Sequence, residues 1–400
     1  MFNIYQMMLE SANVEIQSNE KDIELNTERE KQKDTQSSLT KLTYIILIYV
    51  FYIFGGLFNE KLTKNEYEFT YTNNEIKKFK FKDPLIILCT LSSFELIVSF
   101  YMSKKMKYKL FQDSKISPIT FYDEAILGVL HTGSTFTSQL SLLYIDFIVK
   151  TIGKSCKSAS IIFLYFLNSI PFIHNFLQKL LNNNTGNNKN TKDKIYIKDI
   201  IKVIITTISV FLFNLNGEKS SKSGLRTNST FGILVLATSL FFDGLLSLKE
   251  KMIQTNISNN SIYNGYEKII CWEYMKIFAL CTFIFGISQV SFNIAFGNYF
   301  EIIKQIIVCK ELMRDLIIYA LFDALGQSIL FMFLGLYGPL TLCIVTSVRK
   351  ILSISISIIY FGKTISFNQS LSLILATSII FWEVYDKGNK YKNNEGIKTS

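Results

Sequence analysis

The strongest constraint on this chain is a series of long apolar runs, set apart by short stretches into which nearly all its charge is gathered. A run of 18 or more residues without charge is too long and too uniform for a core helix with one polar face, and reads as a bilayer span. Windows of about 19 residues place the spans at Leu42–Phe58, Pro84–Met102, Tyr122–Tyr144, Ser158–Leu177, Ile195–Phe213, Thr230–Leu248, Ile270–Phe292, Leu312–Leu336, Pro339–Phe361 and Asn368–Val384. Backbone groups in lipid must be satisfied within the chain, so the expectation is an all-α membrane protein of about ten transmembrane helices. Residues 42–386 would form that domain. Two cytosolic tails, 1–41 and 387–400, would flank it, the first polar and disordered.

An even number of spans puts both ends on one side. With the N-terminus cytosolic, 21 Lys and Arg fall in cytosolic segments, 15 in the opposite loops and six inside spans. That bias agrees in sign with the positive-inside rule. Eight acidic residues precede the first apolar run, unlike a cleaved leader, so the first span is expected to act as an uncleaved anchor. The Asn-rich stretch 182–193 has nothing to bury and reads as an inserted loop. Segment 293–311 reads either as an amphipathic interfacial helix or as a plain connection.

The formal net charge of +10 comes from lysines spread over loops and tails rather than lining one face, which argues against nucleic-acid binding. The six Cys lack any C-x-x-C pair, so neither a disulfide framework nor a zinc site is expected. His131 and His174 both sit in apolar settings and read as packed or pore-facing residues. Gly153-Lys154-Ser155 has the ending of a phosphate-cradling loop, but Ile148 stands where the first glycine is required. With no hydrolase or metalloprotease motif in the chain, an enzyme is not expected.

What remains are charges in apolar surroundings. Lys154 and Lys157 are one helical turn apart and share a face. Arg349 and Lys350 lie near the middle of the ninth run, where each costs on the order of 2.5–3.5 kcal/mol to insert. Such residues persist when they line a wet cavity and meet a counter-charge. Glu95, Asp243 and Asp323 lie within spans, with Glu60 and Asp146 near span mouths. The cations either grip an anionic ligand, for which a diphosphate is well suited, or Arg349 pairs structurally with Asp323 or Asp243. The stretch Ile148–Lys154 is also echoed by Ile344–Lys350, five spans later. An odd displacement inverts the topology, so the echo fits two inverted five-helix repeats at about 42–214 and 230–386.

The same cationic segments carry a family resemblance. Gly153-Lys154-Ser155-Cys156-Lys157 resembles the stretch leading into the fourth span of nucleotide-sugar transporters in solute carrier family 35, subfamily B, the UDP-galactose transporter branch of the drug/metabolite transporter superfamily. Ala324–Ser328, Tyr337–Thr341 and Val348–Lys350 resemble its eighth and ninth spans, with weaker matches at Gly56, Glu60-Lys61 and Asp243–Leu245. The resemblance implies an antiporter that exchanges a nucleotide sugar, UDP-galactose or UDP-glucose, for a nucleotide by alternating access in the endoplasmic reticulum or Golgi membrane. An ATP/ADP exchanger of the endoplasmic reticulum membrane is the alternative. No cofactor is implied, and a homodimer stays open. Lys154, Lys157, Arg349 and Lys350 become the phosphate-binding cations. Gln327 becomes a contact to base or sugar, with a helix-packing amide as the other reading. Asp323, where the family usually has a small residue, departs from the pattern, as does Lys249-Glu250-Lys251.

Overall fold

The structure, a computed structural model, describes residues 26–70, 76–81, 83–110, 119–154, 197–215, 229–258, 267–297, 299–362 and 366–398. The fourth apolar run, the Asn-rich stretch 182–193, His174, Cys156 and Lys157 lie outside the described residues. The chain divides into two units, residues 1–50 and 51–400. In the first, the described residues are helical, and Thr43 turns its hydroxyl back onto the Leu39 carbonyl at 2.9 Å.

The elements in chain order are α1 (Asn26–Lys64), β1 (Glu66–Thr70), β2 (Ile76–Lys80), α2 (Pro84–Leu110), α3 (Phe121–Ser141), α4 (Phe147–Gly153), α5 (Ile197–Leu215), α6 (Ser229–Ser258), α7 (Glu267–Phe296), α8 (Tyr299–Val308), α9 (Lys310–Tyr360) and α10 (Phe367–Lys398). Among the described residues, five helices are long and apolar enough to cross a membrane: Leu39–Thr63, Pro84–Met102, Thr230–Glu250, Cys271–Phe296 and Lys310–Tyr337. They coincide with the first, second, sixth, seventh and eighth runs of the sequence. α3 and α5 occupy the third and fifth runs, and α10 carries the tenth with a shorter apolar stretch, Phe367–Trp382.

Large apolar side chains lie on the outside, and hydroxyls are buried together with the apolar core. Ile97, Phe100, Leu234, Ile284, Ile374 and Phe381 are exposed, whereas Ser92, Ser99, Ser134, Ser239, Ser328 and Ser372 are buried. Apolar driving force cannot hold helices together in lipid, so small residues and interhelical hydrogen bonds take over. α3 packs on α6, where the Ser239 hydroxyl donates to the Ser134 carbonyl at 3.0 Å. α5 packs on α10 through a reciprocal pair, Ser209 and Ser372, each hydroxyl donating to the other's carbonyl at 2.7 Å. α2 packs on α7, and α7 also contacts α3, where the Thr132 and Thr282 hydroxyls meet at 3.1 Å.

Where the sequence reading separates an eighth and a ninth span, the backbone of α9 is helical from Lys310 to Tyr360. It cannot be straight. Gln327 and Arg349 both touch Tyr52, yet 22 residues of straight helix would hold them about 33 Å apart. Asp315 and Ser357 likewise reach the adjacent residues Lys61 and Glu60. The two limbs of α9 therefore run antiparallel, doubling back about midway between these partners, at Tyr337–Pro339. Gly and Pro supply such a break because one tolerates unusual backbone angles and the other removes a helical donor.

One element departs from the all-α expectation. β1 and β2 form an antiparallel hairpin with Glu66 opposite Lys80, Tyr67 opposite Phe79 and Glu68 opposite Lys78. The register pairs opposite charges on one face, Lys78 reaching Glu68 at 2.8 Å and Lys80 reaching Glu66 at 3.4 Å. The other face carries Tyr67 into a cluster with Leu62, Ile87 and Leu91, and with Tyr299, Leu312 and Leu316. Segment 299–308 is a helix, with Tyr299 and Ile306 buried in that cluster while Phe300 and Ile307 face outward. Of the two readings of that segment, the amphipathic helix is the one observed.

A second cluster packs Ile148, Val149 and Ile152 of α4 against Val210, Leu236 and Ile354. Here Gly153 is required by space, because a Cβ there would lie 2.7 Å from Leu236 Cδ2. Gly153→Ala is expected to cost about 1–3 kcal/mol through overpacking. Combining it with Leu236→Ala should cost less than the sum of the two changes, as measured by melting in detergent.

Candidate functional site

The polar interior gathers around the middle of the helices. The Lys154 ammonium, at the C-terminal end of α4 where the helix dipole favours a cation, lies 3.2 Å from Asp243 of α6 and 3.3 Å from the Ser134 hydroxyl of α3. Ser134 in turn donates to Asp243. The carboxylate thus holds a cation and a hydroxyl together. Lys350, on the second limb of α9, donates to the main-chain carbonyl of Lys154 at 2.5 Å.

Arg349 takes a different partner. Its guanidinium lies 3.8 Å from the centroid of the Tyr52 ring, a cation–π contact that is strong when desolvated. Its Nε is buried with no hydrogen-bond partner among the described residues. The Tyr52 hydroxyl donates to Gln327 Oε1. Gly326 permits this approach, since a Cβ there would sit 3.2 Å from the Tyr52 ring. The packing role considered for Gln327 is therefore present in the structure, through a tyrosine that also supports Arg349.

Asp323 lies on the first limb of α9 beside Gly55, and Arg349 and Lys150 supply opposing charge to it. Neither Asp323 nor Lys150 makes a side-chain hydrogen bond or ion pair with the described residues. Glu60 is fully buried and accepts from the Ser357 hydroxyl at 2.5 Å. Asp146 stands at the N-cap of α4 without its side chain capping the helix. Lys154, Arg349, Lys350, Gln327, Asp323 and Glu60 are thus linked through α1, α4, α6 and α9. The sequence-level choice of Asp323 or Asp243 as partner for Arg349 resolves unevenly: Asp243 pairs with Lys154, and Asp323 acts on Arg349 through charge alone.

Four participants were not singled out by sequence reasoning. Tyr52 is one of 21 Tyr, and nothing in its neighbourhood marks it. Lys150 lies one turn before Lys154 in the echoed stretch, which is the signal that points to it. Ser134 and Gln139 belong to the polar interruption in the third run, His131–Gln139, but the sequence does not say which of its side chains turn inward. His131 is stacked on Phe278 with ring centroids 4.3 Å apart, in keeping with a packed residue.

A denser network joins the end of α1 to the start of α9. Lys61 and Asp315 form an ion pair at 2.6 Å with Asp315 only 1% exposed. The Tyr67 hydroxyl donates to the same carboxylate at 3.3 Å. Burial, and then the charge of Asp315, push the Tyr67 phenol well above its ordinary range, so it stays protonated and remains a donor. Phe54 and Phe58 stack on Phe322 just inside that layer.

A helical membrane protein with a cluster of opposed charges gathered between its helices is the class these features define. Comparison with known proteins carries the identification further. Residues 191–387 match the UAA transporter family. The chain is 27% identical over 367 residues to the UDP-galactose transporter homolog 1 of Candida glabrata, covering 86% of this chain and 93% of that one. It is 25% identical over 289 residues to the protein of the same name in Kluyveromyces lactis, covering 70% and 76%. To solute carrier family 35 member B1 of Mus musculus it is 23% identical over 333 residues, covering 82% and 88%. The chain is a relative of these transporters over most of its length, as the resemblance in its cationic segments implies.

Tyr52 offers a direct check on the site. Tyr52→Phe should cost about 1 kcal/mol, the net value of one hydrogen bond. Tyr52→Ala, which also removes the ring beneath Arg349, should cost about 3–5 kcal/mol. Melting of the purified protein in detergent measures both.

Proposed function

We propose that this protein is a nucleotide-sugar antiporter of the endoplasmic reticulum or Golgi membrane, exchanging UDP-galactose or UDP-glucose for a nucleotide. The observation that carries the reading is the convergence of Lys154, Lys350 and Arg349 between spans, with a buried Arg349 Nε left to an incoming acceptor. Lys157, three positions after Lys154 in the sequence, lies outside the described residues. A diphosphate brings fixed negative charge and several acceptors. Arg grips such a group in a fork and Lys meets it as a point charge. The names and coverage of the relatives support the same substrate class.

In this mechanism Asp243 acts as an internal stand-in for the substrate. It holds Lys154 before loading, and the arriving phosphate displaces it. Removing that competition should tighten phosphate binding while slowing the carrier's release of it. Alternating access is the transport mode, with the two halves rocking about the fixed cations.

The helix pairing supports inverted repeats. Numbered by span, the second pairs with the seventh, the fifth with the tenth, the third with the sixth and the first with the eighth. Exchanging each span for the one five places away maps this set onto itself. The contact between Lys350 of the ninth span and Lys154, at the entrance to the fourth, obeys the same exchange. Exchange of ATP for ADP remains the second reading, since the cations recognise phosphate and not the base.

Proteoliposomes preloaded with UMP, UDP-glucose or ADP separate the readings. Uptake of labelled UDP-glucose or UDP-galactose only into vesicles holding a nucleotide is the expected result. Arg349→Ala and Lys154→Ala should lower that uptake at least about tenfold, the loss of one charged hydrogen bond or more. Asp243→Asn should lower KM and also lower the maximal rate. Uptake indifferent to Arg349→Ala would remove the phosphate clamp, and uptake confined to adenine nucleotides would select the alternative.

A further inference from the structure

Lys154 and Lys350 each meet an oxygen of the protein, the Asp243 carboxylate in one case and a main-chain carbonyl in the other. Arg349 meets a ring instead. It makes no hydrogen bond or ion pair with the described residues, and its Nε is buried. With 3.8 Å between the guanidinium carbon and the Tyr52 centroid, only a stacked arrangement fits, because an edge-on approach would drive N–H groups into the ring carbons. Stacking on an aromatic face is available to a flat guanidinium and not to a compact ammonium. It covers one face of Arg349 and leaves the N–H fork, which lies in the plane, uncovered.

The ring is itself held in place. Its hydroxyl donates to Gln327 Oε1, and it lies so close to Gly326 that a Cβ there would sit 3.2 Å from its Cδ2 and Cε2. Gln327 and Gly326 belong to the first limb of α9, whereas Arg349 belongs to the second. One side chain of α1 therefore fixes a cation of one limb against the other. Tyr319, on the same first limb, shows the plain packing form of such a tyrosine. It is buried and accepts from the Gln139 amide nitrogen at 3.1 Å, but it carries no cation among the described residues. What sets Tyr52 apart is the guanidinium on its face. A long side chain loses rotamer freedom when it grips a ligand, and one already stacked has less to lose.

We propose that Tyr52 is a positioning residue for phosphate binding: its ring holds the Arg349 guanidinium flat with the N–H edge open to a pair of phosphate oxygens, and Gln327 holds the ring. This rests on the nucleotide-sugar reading above and deepens it. Tyr52 contributes no contact to the phosphate and acts through Arg349 alone. A diphosphate bound this way enters in the plane of the guanidinium and is gripped by two parallel N–H···O bonds. The affinity of the clamp is then set as much by an uncharged side chain of α1 as by the cations themselves.

The test uses the full chain, with UDP-glucose exchange in proteoliposomes and melting shifts in detergent given by UDP or inorganic diphosphate. Tyr52→Leu removes the ring and should raise KM for UDP-glucose about tenfold, with the maximal rate within about threefold, and shrink the shift given by both probes. Tyr52→Phe and Gln327→Leu break the same hydrogen bond and keep the ring. Each should raise KM about threefold, and the two together no more than either alone. In an Arg349→Ala background, Tyr52→Leu should change the UDP shift by less than about twofold, because no guanidinium remains to be held. A lower melting temperature with KM and probe shifts unaltered is what packing alone would give, and it overturns the positioning role. So does a loss that persists undiminished without Arg349. Should Tyr52→Leu not fold, the pair Tyr52→Phe and Gln327→Leu decides: KM unchanged in both, or losses that multiply, overturns it. Probe shifts that depend on Tyr52 without any nucleotide exchange sink the antiporter reading and leave the positioning of Arg349 standing, whereas normal exchange indifferent to Tyr52 sinks the positioning alone.

Discussion

Several cations brought together between the helices repel one another, and the polar groups around them are arranged to relieve that. Lys154 is relieved by Asp243, Lys350 by a main-chain carbonyl, and Arg349 by the face of Tyr52 and the charge of Asp323. No two of these solutions are alike. Each uses a different helix, so the charges also fix which helices must lie side by side. Removing one partner would leave a charge uncompensated between the helices. The electrostatics of the site and the packing of the spans are therefore a single problem.

The outer layers solve the opposite problem. Lipid cannot reward the burial of Leu or Ile against another helix, because lipid is as apolar as they are. The contacts that hold α3 to α6 and α5 to α10 are consequently serine pairs, placed where a hydroxyl can reach a carbonyl on the neighbouring helix. Gly153 and Gly326 serve the same end by letting backbones or rings approach closely. Some large apolar side chains, Ile97, Leu234, Ile284 and Phe381 among them, are turned outward, while Trp272, Phe333 and Leu88 fill the interior.

The parts of this architecture that depend on length and charge alone were legible in the sequence. Apolar runs such as Pro84–Met102 and Thr230–Leu248 reappear as helices because a bilayer imposes one length on every span. The boundary between the eighth and ninth runs was legible as the gap between Leu336 and Pro339, and the two limbs of α9 double back about there. The hairpin was not legible. Five-residue strands rich in Glu and Lys look like a polar loop, and only the pairing of Glu66 with Lys80 and Glu68 with Lys78 gives them a register. At the site, Lys154, Arg349 and Lys350 stood out because a cation in an apolar run is costly. Their partners did not, because the distance between Lys154 and Asp243 along the chain carries no trace of their distance in space. Tyr52 and Tyr319 are hidden by abundance, tyrosine being common throughout the chain.

Asp315 holds Lys61 with one contact and Tyr67 of the hairpin with another. It therefore couples the end of α1, the start of α9 and the hairpin into one latch. Such a latch has no say in how tightly a ligand is held. In the proposed alternating-access cycle its loss would act on how readily that end parts, a change in turnover rather than in the contacts to a ligand.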